Sequence, residues 1–140
     1  MSACVVDASV IAAALFQEPH AGRARVLLAG GQELYAPELI HAEVANVIWK
    51  RHRRREVDEQ EAADLLTDLL RLPIWTTPSA ELAPAALQLA LQLHRTVYDC
   101  LYVALAIQTK TVLVTSDRRL INALAGSPLG ERITWLGEYR

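Results

Sequence analysis

The chain has 140 residues, 52% hydrophobic and 21% charged, enough to bury a core without disulfides or a structural metal. Its net charge of −2 excludes a uniformly basic nucleic-acid binder, so any such surface is local, and the one dense basic run is Lys50 to Arg55. Two cysteines, Cys4 and Cys100, and four scattered histidines, His20, His41, His52 and His94, match no zinc or disulfide spacing. The thiols read as free ones in a reducing cytoplasm. The start of the chain lacks a signal-peptide pattern, and no apolar run approaches the ~18 residues of a membrane span. The expectation is one cytoplasmic domain, residues 1–140, without membrane contact.

In chain order, Ala3 to Val6 is a short β-branched segment that reads as a buried parallel strand ending at Asp7. `ASVIAAALFQE` is helical up to Pro19, and a second helix over Ala21–Ala29 stops at Gly30-Gly31. `ELYA` is a strand. Pro37-Glu38 opens a helix reaching about Arg54, since a proline and an anion suit a first turn. Asp58 and Glu61 have capping-box spacing and open a helix through about Leu72. `PIWTT` is a strand. Ser79 to His94 is helical, with Pro84 tolerable only if the regular helix begins near it. Tyr98–Thr109 is a helix, `TVLVTSD` a strand, Asp117–Leu124 a short helix closed by Gly126-Ser127-Pro128, and `RITWL` a last strand. Strands alternating with helices predict an α/β fold with a parallel sheet covered on both faces.

In such sheets ligands bind outside the carboxyl ends of the strands. Asp7 and Asp117 stand at ends of that kind, and each also reads as a helix N-cap. Glu43 flanks the apolar stripe Ile40, Val44, Val47 and Ile48 at ~100° per residue, with Asn46 on its side. It is either a solvent-edge glutamate or a group that needs a partner. Asp99 enters a helix that is apolar nearly all round, as a cap or as another such group. Few cations adjoin these acids. Together they offer hard oxygen ligands that suit Mg²⁺, with Mn²⁺ able to substitute.

The blocks `VVDASV`, `PELIHAEVANVIWK`, `YDCLYVALA` and `LVTSDRRL` resemble, in order, those of PIN-domain ribonucleases, most of all VapC-type toxins of toxin–antitoxin pairs. The resemblance spans essentially the whole chain. It implies a three-layer α/β/α sandwich on a five-stranded parallel sheet, and an endoribonuclease leaving a 5′-phosphate and a 3′-hydroxyl. It also implies a homodimer neutralised by a VapB-like antitoxin. The family's catalytic acids fall on Asp7, Glu43, Asp99 and Asp117. Of these, Asp7, Asp99 and Asp117 are assigned to metal and Glu43 to proton transfer or a water on the cation. Ser9, Asn46, Thr115 and Ser116 fall on supporting positions, and Arg118 and Arg119 are candidate RNA contacts. The tryptophans Trp49, Trp75 and Trp135 read as core or interface residues, and Tyr98 and Tyr102, beside the site helix, as core packing. A catalytically silent binding module is the main rival. A receiver-type signalling domain fits less well, because `PIWTT` carries no aspartate and Lys110 precedes its strand.

Overall fold

A computed structural model describes residues 2–139. Five strands, β1 (Ala3–Val6), β2 (Glu33–Pro37), β3 (Ile74–Thr77), β4 (Val112–Thr115) and β5 (Ile133–Trp135), form one wholly parallel sheet. Its spatial order is β3-β2-β1-β4-β5. Cys4, Val5 and Val6 are all buried, as an unbroken apolar strand at the centre of a covered sheet requires. The register sets Val6 beside Val114 and Thr115 beside Trp135.

Seven helices connect these strands: α1 (Ala8–Leu15), α2 (Ala21–Ala29), α3 (Ile40–Arg53), α4 (Glu59–Arg71), α5 (Ser79–Leu93), α6 (Val97–Thr109) and α7 (Arg118–Ala125). The chain steps outward from β1 through β2 to β3, then returns past β1 to β4 and β5. Right-handed crossovers in opposite directions put their helices on opposite faces, which gives the three-layer sandwich. Helix α6 packs across β1, β2 and β4, and its residues Cys100 to Ala106 are all buried. That position explains its apolar circumference. Each large aliphatic side chain buried there, such as Leu105, contributes about 1.5–3 kcal/mol.

Several expected boundaries move. α1 ends at Leu15, before `FQE`. Pro37 closes β2 instead of opening a helix, because its fixed φ also suits extended backbone. Regular α3 begins three residues later, at Ile40. Pro84 lies well inside α5, which forms around it and forgoes one backbone hydrogen bond. The capping box of α4 is complete: Asp58 accepts from the Glu61 amide at 2.8 Å, and Glu61 accepts from the Asp58 amide at 3.2 Å. Trp49, Trp75 and Tyr98 are exposed at 51%, 67% and 62%, so they are surface residues and not core. No helix among the described residues is long and apolar enough to cross a membrane.

Candidate active site

The strand order reverses between β1 and β4, and the crevice at their carboxyl ends is the topological switch point of the sheet. Asp7 leaves β1 there. It N-caps α1 by accepting the Ser9 amide at 3.0 Å and the Val10 amide at 3.3 Å on Oδ1. The Ser9 hydroxyl donates to the same oxygen, and the Thr115 hydroxyl donates to Oδ2. Thr115, fully buried at the end of β4, in turn accepts the Asp117 amide at 3.0 Å. Ser9 Oγ accepts the Ser116 amide at 2.9 Å and lies 3.2 Å from Thr115 Oγ1. Two hydroxyls thus tie the β1 and β4 ends together. Asp117 caps α7 through the Arg119 amide at 2.9 Å. The cap reading of Asp7 and Asp117 therefore holds, and it leaves each carboxylate beside the crevice. Burial pushes the Asp7 carboxyl up to about 6, against its hydrogen bonds from Ser9, Thr115 and Val10, and the Asp117 charge pushes the same way.

The other two acids come from the first turns of α3 and α6. Glu43 accepts a hydrogen bond from the Tyr102 hydroxyl. Burial raises the Glu43 carboxyl above its usual range; the Tyr102 bond opposes this and the Asp99 charge adds to it. Asp99 is not the cap of α6. That place belongs to Thr96, whose Oγ1 accepts the Asp99 amide at 3.1 Å. The Asp99 carboxylate instead pairs with Arg95, Nη2 to Oδ2, at 2.9 Å. The sequence expectation that few cations adjoin the acids is corrected here, since Arg95 stands four residues before Asp99. Tyr102 is buried, and its phenol is raised by burial and by the charges of Glu43, Asp7 and Asp99. An electrostatic chain therefore runs from Asp117 through Asp7 and Tyr102 to Glu43 and Asp99.

All four acids sit at helix N-termini, where unpaired amides and the helix dipole favour anions. The dipoles explain how four carboxylates can gather, and the raised Asp7 and Glu43 show that the compensation is incomplete. The donor set is entirely hard oxygen, which fits a cation such as Mg²⁺ or Mn²⁺ in kind. In these rotamers the acids turn to protein partners, and no three His, Cys, Asp or Glu among the described residues converge to cation-holding distance. A surface hollow of about 600 Å³ around His52, Arg55, Glu56 and Glu61 includes none of the four acids.

The family model of the PIN domain matches residues 4–126. The chain belongs to the PIN-domain family. This PIN domain is 40% identical over 118 residues to Ribonuclease VapC3 of Pyrobaculum aerophilum, covering 83% of this chain and 90% of that one. The crystal structure of PAE2754 from the same organism aligns with a TM-score of 0.71 at 26% identity, covering 97% and 85% of the two chains. A structure of VapBC2 from Rickettsia felis bound to a DNA fragment from its promoter aligns at 0.65, covering 95% and 98%. At 15% identity that likeness speaks to the fold alone. The family removes the receiver-type reading.

Not every residue marked in the sequence of this PIN domain joins the web. Asn46 is exposed and makes no side-chain hydrogen bond among the described residues, so it does not support Glu43 here. Arg118 lies with its guanidinium 3.9 Å from the centre of the Trp135 ring, and His20 meets that ring edge-on at 5.0 Å. A Cβ on Gly137 would fall 2.5 Å from the same ring. Arg119 is exposed, while Ser116 enters through its backbone amide only. Arg95 and the hydroxyl of Tyr102 were not read as site groups from the sequence. The i,i+4 spacing from Arg95 to Asp99 and the one-turn spacing from Asp99 to Tyr102 were the available signals.

Proposed function

We propose that this PIN domain is a divalent-metal-dependent endoribonuclease and the toxin of a VapBC-type pair, folded as one domain over residues 1–140. One observation carries the reading: Asp7, Glu43, Asp99 and Asp117, from four separate elements, form one electrostatic cluster at the switch-point crevice. The ribonuclease name of the Pyrobaculum aerophilum relative supports RNA as substrate. The VapC name of the same relative supports a VapBC-type pair and so a VapB-like antitoxin. Leu87 and Leu91, one turn apart on α5 and both exposed, are a pair that a second copy would cover in a homodimer.

Asp7, Asp99 and Asp117 would hold the cation. Bound Mg²⁺ or Mn²⁺ would supply charge neutralisation at the phosphate and make water acidic enough to attack. Ser9 and Thr115 fix the Asp7 oxygens by hydrogen bonds at the end of β1. Glu43, raised toward neutrality and oriented by Tyr102, is matched to accept the proton of the attacking water. Attack at phosphorus breaks the bond to the 3′ oxygen, leaving a 5′-phosphate and a 3′-hydroxyl.

Purified chain freed of any partner, given structured RNA with Mg²⁺ or Mn²⁺, is expected to cleave it. Asp7→Asn and Asp99→Asn should each lower the rate at least about 100-fold. Undiminished cleavage by either variant, or in chelator, would refute the site. Growth inhibition on expression that vanishes in the same variants separates a toxin from a silent binding module.

A further inference from the structure

Arg95 is placed oddly for a structural arginine. It directly precedes Thr96, the N-cap of α6, so its positive charge faces the positive end of the helix dipole. Among the described residues its one polar partner is the Asp99 carboxylate, and its Nε is buried without a hydrogen-bond partner. The pair is partly exposed, with side chains 27% and 31% accessible, so it is a weak tie. A guanidinium is built to grip oxyanions with a fork of several N–H groups, and here one arm of the fork is used.

We propose that Arg95 is a substrate-phosphate contact of this site, parked on Asp99 when no cation is bound and transferred to an RNA backbone phosphate when the cation takes Asp99. The inference rests on the nuclease reading and adds to it a residue outside the acid set. A divalent cation and a guanidinium compete for one carboxylate and repel each other. Once displaced, Arg95 has the helix dipole behind it and an unpaired Nε, and a phosphate diester satisfies both. The same residue that offsets the acids at rest then offsets the substrate.

The test separates binding from catalysis. A short fluorescent single-stranded RNA is titrated by anisotropy, with Mn²⁺ present, into Glu43→Gln protein, which keeps the three cation-holding acids, with and without Arg95→Gln or Arg95→Lys, across a salt series. Arg95→Gln should weaken binding on the order of tenfold and flatten the slope of log affinity against log salt by about 0.7–1. Arg95→Lys should restore the slope but only part of the affinity, because charge returns without the fork. In the otherwise unaltered chain, calorimetric Mn²⁺ titration should show Arg95→Gln binding the ion several-fold more tightly. Unchanged RNA affinity and slope, or weaker Mn²⁺ binding, overturns the proposal. Affinity lost at constant slope overturns it too, since that is a folding effect. If Glu43→Gln protein binds no RNA even with Arg95 intact, the nuclease reading falls with it. If it binds RNA equally with and without Arg95, only Arg95 loses its role.

Discussion

Replacing Asp7 by Asn should abolish activity and make the protein more stable. The Asp7 carboxyl is buried and sits at about 6, against an ordinary value of 3.8. A folded-state value above the unfolded one means that the fold prefers the protonated acid. Below about pH 3.8 the residue costs nothing. Between 3.8 and about 6 the folded state loses stability progressively, and above that the loss is constant. At 1.36 kcal/mol per pH unit the full loss is about 3 kcal/mol. Asparagine keeps the shape without the charge, and the Ser9 and Thr115 hydroxyls can rotate to meet its amide. Allowing for imperfect rematching, the gain should be about 1–3 kcal/mol, or roughly 3–9 °C in melting temperature for a chain of this size. Thermal melts in chelator at pH 7.5 and pH 4 measure it. Asp7→Asn should melt above the parent at pH 7.5 and level with it near pH 4. With excess Mn²⁺ the order should reverse, because the ion stabilises only the parent. A variant that melts below the parent at pH 7.5 in chelator, or a difference independent of pH, would show the burial argument to be wrong.

Tyr102→Phe removes the donor that holds Glu43 down, so the Glu43 carboxyl should rise further. The acid limb of the pH–rate profile should move to higher pH, and an unmoved limb would take Glu43 out of proton transfer. Gly137→Ala puts a methyl against the Trp135 ring and should displace it from Arg118 at a cost of about 1–3 kcal/mol. Denaturant melts and tryptophan fluorescence read this out, with Gly22→Ala, whose added Cβ meets nothing, as the silent control.

The fold was legible where local pattern and global position agree. Cys4 to Val6 read as a buried strand because both its faces are covered, and Asp58 with Glu61 announced their helix because capping is local chemistry. Pro37 misled because one fixed φ serves a strand end as well as a helix start. Pro84 misled because packing against α6 carries α5 past it. Exposed Trp49, Trp75 and Tyr98 show that aromatic residues do not announce the face they occupy. The four acids were recognisable from their blocks. Their partners were less so: Tyr102 lies 59 residues from Glu43 and Thr115 lies 108 from Asp7, contacts that only the folded chain brings about. Arg95 was the exception, since its spacing to Asp99 is local.

The position of β4 bears on how such an enzyme is made. It is fourth in sequence, yet it lies inside the sheet beside the central strand β1. Until residues 112–115 have been synthesised, one flank of β1 is unpaired, Asp7 lacks Thr115, and Asp117 does not yet exist. A growing chain that has delivered Asp7, Glu43 and Asp99 is still without a crevice. A nascent chain therefore lacks the second wall of that crevice until β4 is made and joins β1.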